Sequence, residues 1–236
     1  MNVPDVEGWP HDVAGAVEMQ RQVAEQVDIP AHTVPTPTTV AGLDISYDTG
    51  SDRIIAAAVV AELATGAIVE QVVVAGVAQF PYVPGLLAFR EIPMLLQALW
   101  PLRTVPDVLI CDGQGIAHPR RCGLACHLGV LTGRPALGCA KTRFIGTHDE
   151  PGPQRGDHTP LYDGADLIGT ALRTQRDVKP VYVSPGHGIG IAQSCQIVLA
   201  LCSTYRLPDP IRHADHISRR ALAHHPVEAQ GLLHHS

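Results

Sequence analysis

The chain is poor in aromatic residues and in lysine, and it has no long hydrophobic run. Phe, Trp and Tyr make up 4% of its 236 residues, and only two of the 17 basic residues are lysines. No apolar stretch approaches the roughly 20 residues that a helix needs to cross a bilayer. The first residues also lack the basic start and apolar core of a signal peptide. We therefore expect a cytoplasmic protein without a membrane anchor.

Cysteine is present, but its pattern argues against the common cysteine-based sites. The six cysteines lie in or beside apolar segments, which predicts buried, reduced side chains. Three residues separate Cys122 from Cys126, and no second pair follows at zinc-finger distance. A structural zinc site is therefore not expected. The length and a hydrophobic content of 45% predict one globular domain with a substantial core.

The net charge of −6 argues at first against a nucleic-acid partner, but the charge is unevenly spread. Residues 1–70 contain two of the 17 basic and 11 of the 23 acidic residues, whereas residues 71–236 carry a net charge of +3. This asymmetry is either ordinary surface variation or a local basic face for phosphates, and charge alone does not decide between them. The residues of such a face would be Arg120, Arg121, Lys141, Arg143, Arg212, Arg219 and Arg220.

The first third of the chain predicts a helix followed by an antiparallel meander. Apolar residues at three- and four-residue steps predict a helix over residues 11–28. The proline- and threonine-rich residues 30–39 indicate an extended connection. Three strand candidates follow, separated by glycine-containing hairpin turns. Their bounds are Val40–Tyr47, Arg53–Leu63 and Ala67–Ala75.

The rest of the chain alternates helices with short strands. Pro93 needs no amide partner in the first turn of a helix, so we expect a helix over residues 93–100 with Glu91 at its amino edge. The strand after this helix should pair parallel to an earlier one. This order predicts an α/β fold with a mixed β-sheet flanked by helices. The further elements are strand Val105–Cys111, a helix over residues 121–131, strands Ala136–Ala140 and Pro180–Val183, and helices over residues 189–205 and 211–222.

One aspartate lies within a predicted strand, and a second directly follows another. Asp44 interrupts an apolar strand, and Asp112 directly follows one. Each alone could be a capping or turn residue. If the two strands lie parallel side by side, both carboxylates emerge at neighbouring carboxyl ends and repel each other unless a cation lies between them. Mg²⁺ suits such a site because it takes few carboxylates and keeps waters for substrate phosphate. Glu91 and Asp215 could complete the cluster.

Six segments, in order along the chain, resemble the endonuclease V family, inosine-directed nucleases with a ribonuclease H-like fold. The Pro-Tyr-Val-Pro-Gly and Asp-Gly-Gln-Gly-Ile-Ala-His-Pro-Arg-Arg blocks are long and specific. The matching segments are residues 41–47, 81–91, 112–125, 138–141, 183–187 and 207–215. The predicted organisation is an N-terminal helix and extended lead-in over residues 1–39, a ribonuclease H-like endonuclease domain over residues 40–222, and a disordered tail over residues 223–236.

The resemblance implies a Mg²⁺-dependent deoxyinosine 3′-endonuclease of DNA repair, with Mn²⁺ as a second acceptable metal. It implies that Asp44 and Asp112 bind the metal and that Glu91 and Asp215 complete the acidic site. The cleaved bond is then the second phosphodiester 3′ to the inosine, leaving 3′-hydroxyl and 5′-phosphate ends. The implied partner of this monomeric enzyme is DNA containing deoxyinosine. The alternatives are inosine-containing RNA as substrate, a non-catalytic nucleic-acid-binding protein, and a nuclease that reads branched or mismatched structure.

Further residues take roles from the same motifs. Lys141 would lie at the scissile phosphate, unless it is a solvated surface lysine. His118 would contact phosphate or handle a proton. Tyr82, on a loop stiffened by prolines, fits a wedge that fills the gap left by a displaced base. The other implied substrate-binding residues are Pro81, Gly85, Leu87, Arg90, Gly113, Arg120 and His187.

The base itself would enter a tight pocket beside Gly85, Leu87 and Gly113, where glycines allow the backbone to approach closely. Rejection of adenine would require that its exocyclic amine find no acceptor in this pocket. The chain departs from the family after His187, where Gly188 stands in place of the usual basic residue. One phosphate or structural contact is therefore expected to be lost or moved.

Overall fold

An eight-stranded mixed sheet organises the molecule. The structure is a computed structural model, and it describes residues 8–31 and 35–224. In chain order its elements are α1 (Val13–Ala24), β1 (Thr39–Tyr47), β2 (Arg53–Glu62), β3 (Ile68–Val77), α2 (Leu87–Leu99), β4 (Val108–Cys111), α3 (Leu124–Thr132), β5 (Ala136–Ala140), β6 (His158–Asp163), β7 (Asp166–Leu172), β8 (Val181–His187), α4 (Ile191–Leu201) and α5 (Asp209–His224). The strands lie side by side in the order β3-β2-β1-β4-β5-β8-β7-β6.

The part of the sheet from β1 to β5 positions the predicted acids. β1, β2 and β3 pair antiparallel as consecutive strands, which confirms the predicted meander. β4 pairs parallel to β1, with Leu43 opposite Cys111, and β5 pairs parallel to β4. The carboxyl ends of β1, β4 and β5 therefore meet at one edge of the sheet.

Helices cover both faces of the sheet, which confirms the expected α/β class. α2 and α3 pack on one face, where Leu43 of β1 lies in a cluster with Leu95 and Leu128. α4 and α5 pack on the other face, where Val40 of β1 lies with Ile211. Successive residues of a strand point to opposite faces, so a single strand serves both cores. Burial on both sides also explains why the interior of β2 is continuously apolar.

Helix α2 begins earlier than its proline suggested. It starts at Leu87, so Pro93 lies in its interior, and Glu91 lies in its second turn and not at its amino edge. An interior proline cannot donate to the carbonyl four residues earlier, which here belongs to Phe89. The indole N–H of Trp9 donates to that carbonyl instead, at 2.9 Å. A residue 80 positions away therefore supplies the missing hydrogen bond.

A hairpin that the sequence pattern did not predict extends the sheet. β6 and β7 pair antiparallel around a turn containing Gly164, whose φ of +62° favours glycine. β6 alternates only weakly between buried and exposed residues, so its periodicity does not stand out in the sequence. The other corrected bounds are a later start of β4, a shorter α4, and longer β8 and α5.

The segments outside the sheet are only partly described. α1 packs against α3 through Val23, Cys122 and Cys126. All six cysteines are free, and five of them are buried. Residues 225–236, which form most of the predicted tail, lie outside the described residues, and residues 223–224 belong to α5. In the part of the chain that the structure describes, no helix is long and apolar enough to span a bilayer.

Candidate functional site

Asp44 and Asp112 stand side by side where the parallel pairing of β1 with β4 ends. Asp44 follows Leu43 and Asp112 follows Cys111, and these two preceding residues are partners in the β1–β4 ladder. The backbone N–H of Asp112 donates to the carbonyl of Leu43 at 3.3 Å. Both acids therefore leave the sheet at the same edge, as expected from the parallel pairing.

Asp44 is a buried carboxyl with few compensating contacts. It is 9% exposed, and the hydroxyl of Ser218 in α5 donates to its Oδ2 at 3.3 Å. The same hydroxyl lies 2.7 Å from that of Ser46. Burial, and then the carboxylates of Asp112 and Asp215, raise the pKa of Asp44 to about 7. A cation beside this carboxylate would offset the cost of its charge.

Packing of α2 brings Glu91 into electrostatic range of both aspartates. Burial raises the pKa of Glu91 to about 8, and repulsion from Asp44 and Asp112 acts in the same direction. The hydroxyl of Tyr47, the last residue of β1, donates to Glu91 Oε1 and opposes this rise. Sequence reasoning missed this role of Tyr47, because its partner lies 44 residues further along the chain.

Lys141 directly follows β5 and enters the acidic site. Its Nζ donates to Asp112 Oδ2 at 2.5 Å. Burial lowers the pKa of Lys141, but the hydrogen bond and charge of Asp112 outweigh burial, and the pKa is raised overall. Asp215 in α5, the fourth predicted acid, accepts from Arg219 Nε at 2.7 Å. Lys141 is therefore an ion-pair partner in the site and not an isolated surface lysine.

The donors of the acidic site have the chemistry of a hard-cation site. Among the described residues, no three His, Cys, Asp or Glu side chains stand ready to hold a metal ion. Asp44 is nonetheless a buried carboxylate that two others repel, and divalent cations stabilise such groups. The residues therefore fit Mg²⁺ in their chemistry, while a coordinating geometry would have to form together with the ion.

A pocket of about 360 Å³ opens beside the acids, large enough for a small planar group. Tyr82 stands on its rim and is 71% exposed. The lining also includes Gln20 and Phe144, which the sequence motifs did not identify. The predicted site residues that the structure brings together in this lining are Tyr82, Gly85, Leu87, Asp112, Gly113, His118 and Lys141.

Both ring nitrogens of His118 are occupied by the protein itself. The backbone N–H of Arg120 donates to Nδ1 at 3.2 Å, so the proton belongs on Nε2, which lies 3.0 Å from the carbonyl of Gly85. Burial, and then the charge of Arg120, lower the pKa of His118 to about 4. The predicted roles of His118 in phosphate contact or proton handling stay predictions. In the structure, His118 holds the loop that carries Tyr82.

Three predicted substrate-binding residues support this loop and do not line the pocket. Pro81 is an exposed residue of the loop itself. Arg90 donates to the carbonyl of Phe80 at 2.7 Å, just before the loop begins. Arg120 donates to the carbonyl of Gly85 at 2.8 Å, where the loop ends. The two arginines therefore hold the ends of the loop, and direct contact of the three residues with substrate stays a prediction.

His187 lies away from the pocket, and its predicted contact with substrate stays a prediction. It pairs with Ala136 at the opposite end of β5 from Lys141, and its Nδ1 accepts from the backbone N–H of Asp28 at 3.2 Å. The next residue, Gly188, has a φ of +64° and donates to the carbonyl of Asp28 at 2.7 Å. This left-handed conformation favours glycine over the basic residue of the family pattern.

The fold and the site together define a class of protein. A mixed sheet with one acid within its first strand, a second directly after its fourth strand and a further acid on a covering helix is the arrangement of a ribonuclease H-like nuclease. The Endonuclease V family model matches residues 18–216 of this chain. The chain belongs to the endonuclease V family.

Individual relatives agree with this assignment. Endonuclease V from Streptomyces avermitilis is 48% identical over 219 residues, which cover 91% of this chain and 94% of that protein. The crystal structure of the S. avermitilis Endonuclease V has a TM-score of 0.88 at 46% identity, and the match covers 94% of this chain and 97% of that one. Ciona intestinalis Endonuclease V, in complex with a 24mer DNA containing an inosine followed by a ribo-adenosine, has a TM-score of 0.80 at 26% identity. That match covers 89% of this chain and 98% of the other.

Proposed function

We propose that this protein is a Mg²⁺-dependent endonuclease that recognises inosine or deoxyinosine in nucleic acid and serves DNA repair. It hydrolyses the second phosphodiester bond 3′ to the inosine and leaves 3′-hydroxyl and 5′-phosphate ends. The observation that carries the proposal is the placement of Asp44 and Asp112 on adjacent strands, where their parallel pairing ends, with Asp112 lining a base-sized pocket rimmed by Tyr82. The C. intestinalis relative, bound to inosine-containing DNA, supports this choice of substrate.

Mg²⁺ would be held by Asp44 and Asp112, with Glu91 and Asp215 close enough to share its charge. When bound, such an ion makes a water more acidic and stabilises negative charge on phosphate oxygens. The protein itself contributes the placement of these acids close together at one edge of the sheet. Lys141, now paired with Asp112, contributes a compact positive charge that a phosphate could engage.

Recognition of the base rests on the pocket and its rim. Tyr82 is exposed at the rim and would occupy the space that a displaced base leaves in the stack. Gly85 and Gly113 line the pocket and let backbone approach the base closely. Hypoxanthine differs from adenine at the exocyclic position, so backbone groups placed there would discriminate between the two.

RNA remains a second candidate substrate because of one observation on a relative. The DNA bound to the C. intestinalis protein carries a ribo-adenosine after the inosine. An active site that takes a ribonucleotide next to the inosine is compatible with cleavage of inosine-containing RNA.

The decisive experiment compares matched strands of inosine-DNA, inosine-RNA and unmodified DNA at one salt concentration, with and without Mg²⁺, and maps the product ends. We expect Mg²⁺-dependent cuts at the second phosphodiester 3′ to inosine, and no cuts from Asp44→Ala or Asp112→Ala proteins that keep the wild-type circular dichroism. A protein that shifts the strands but never cuts them would be a binding protein. Equal cutting of the unmodified strand would indicate a structure-reading nuclease.

A further inference from the structure

The carbonyl of Gly85 accepts hydrogen bonds from three side chains. His118 Nε2 lies at 3.0 Å, Arg120 Nη2 at 2.8 Å and Gln20 Nε2 at 3.1 Å. His118 and Arg120 come from the loop after β4, whereas Gln20 comes from α1. Gly85 also has a φ of +81°, a conformation that few other residues adopt easily. The end of the Tyr82 loop is therefore held at one residue from two directions.

Gln20 is the member of this group that no sequence motif identified. It is 1% exposed, on the same face of α1 as Ala16 and Val23. A buried amide is costly unless its polar atoms are satisfied. Here Nε2 also donates to the carbonyl of Cys122 at 2.6 Å, and Oε1 accepts from Arg120 Nε at 2.5 Å. Both ends of the amide are thus committed to the loops around the pocket.

These contacts of Gln20 hold the loop that carries Tyr82. Gln20 fastens Gly85 directly and orients Arg120, which is itself a donor to Gly85. Tyr82, three residues earlier, is exposed and depends on the loop for its position. Since the amide of Gln20 is already occupied at both ends, it acts through Gly85 and Arg120 and not by hydrogen bonding to a base.

We infer that Gln20 is a positioning residue for base displacement: through Gly85 and Arg120 it holds the loop of residues 81–85 so that Tyr82 and the pocket wall are ready for inosine. This inference rests on the proposed function. A loop that is already ordered loses less conformational entropy when the nucleic acid binds. The loss of Gln20 should therefore weaken selection of inosine more than it slows the cleavage of a bound strand.

Three variants separate the contacts. Gln20→Met has a similar length and removes every hydrogen bond of the amide. Gln20→Glu keeps an acceptor for Arg120 but removes both donated hydrogen bonds, to Gly85 and to Cys122. Gln22→Met is the matched control, because Gln22 lies on the exposed side of the same helix and contacts Glu18.

Two measurements test the inference. Hydrogen–deuterium exchange of peptides covering residues 80–87 reports the loop without any substrate. We expect faster exchange in both Gln20 variants and wild-type exchange in Gln22→Met. Steady-state cleavage then reports function. We expect the KM for the inosine strand to rise about tenfold in the Gln20 variants, a change in the range of one or two lost hydrogen bonds, with kcat altered much less.

The outcomes are distinguishable. A wild-type protein without preference for the inosine strand overturns the proposed function, and the inference with it. A wild-type protein with that preference, together with Gln20 variants that match Gln22→Met in exchange and KM, overturns the inference alone. A fall in kcat at unchanged KM, with a lower melting temperature, also overturns it, because it indicates lost active protein. If Gln20→Met does not fold, Gln20→Glu provides the same comparison.

Discussion

The ammonium nitrogen of Lys141 lies 2.5 Å from a carboxylate oxygen of Asp112, at the point where two parallel strands end. The lysine thus neutralises one acid of a crowded group in the absence of other cations. A divalent cation and the lysine would compete for the same carboxylate, and a substrate phosphate would offer the lysine another anion. In the proposed function, the pair would therefore link metal binding to substrate binding.

Replacing Lys141 should separate these two roles. We expect Lys141→Met to lower cleavage by about 100-fold, because a positive charge at the phosphate is lost. Its Mg²⁺ affinity, measured by thermal shift without substrate, should stay equal or increase because a competitor for Asp112 is gone. Lys179→Met, at the exposed second lysine, is the control and should behave as wild type. Loss of Mg²⁺ binding in Lys141→Met would contradict this account.

The acidic site should cost the protein stability when no metal is bound. Asp44 is buried and repelled by two carboxylates, so Asp44→Asn should raise the free energy of unfolding at pH 8 by about 1–3 kcal/mol while abolishing cleavage. Addition of Mg²⁺ should stabilise the wild type, because only the folded protein gathers the ligands, and should stabilise the variant less. Chemical denaturation with and without Mg²⁺ provides the test. A variant less stable than the metal-free wild type would show that Asp44 has a structural role.

Tyr82 should matter for base displacement and hardly at all for stability. It is 71% exposed, so Tyr82→Ala should leave the melting temperature unchanged. Loss of stacking against a base costs about 1–3 kcal/mol, which predicts a fall in kcat/KM for the inosine strand of roughly 10- to 100-fold. Tyr82→Trp should retain most activity. Trp100→Ala, at an exposed aromatic outside the pocket, is the control. Equal activity of Tyr82→Ala and this control would exclude the wedge.

His127 should make the fold sensitive to acid. Its ring is fully buried beside Trp9 and Phe89, and neither nitrogen has a hydrogen-bond partner among the described residues. Burial lowers its pKa to about 4. A folded-state pKa below the unfolded value of about 6.5 means that stability is present above pH 6.5 and is lost as the pH falls towards 4.

Between pH 7.5 and 5, this one histidine should remove about 2 kcal/mol of stability. His127→Leu should reduce the pH dependence of the free energy of unfolding by that amount, whatever its stability at pH 7.5. Urea denaturation of both proteins at the two pH values measures the difference. An identical pH dependence in the two proteins would assign the acid sensitivity to other groups.

The neighbourhood of Asp44 and Asp112 could be predicted because local rules determine it. A short apolar strand that follows a helix pairs parallel with an earlier strand, and parallel strands end at one edge. The start of α2 could not be predicted in this way. Pro93 is a helix breaker by its own chemistry, and only the distant indole of Trp9 offsets its missing donor.

The contacts that support the pocket also could not be predicted from the sequence. Gln20 was visible as a polar residue on the apolar side of an amphipathic helix, which is a signal that a buried partner exists. That signal does not name the partners, Gly85 and Arg120, which lie 65 and 100 residues away. The motif around His118 likewise predicted a site residue. Only the distances to its neighbours show that Nε2 carries the proton and that the ring contacts Gly85.

The hydrogen bond from Trp9 to the carbonyl of Phe89 has a practical consequence for anyone who shortens this chain. A protein begun at residue 40 would keep all four acids of the site and the sheet except for its first residue, Thr39, and would look complete on a diagram of the predicted catalytic residues. It would lose the indole of Trp9, which donates to the unpaired carbonyl in α2, the helix that carries Glu91. It would also lose the amide of Gln20, which donates to the pocket loop at Gly85. An activity assay should therefore use a protein that includes the residues before position 40, because a shortened protein could be inactive through the loss of these contacts alone.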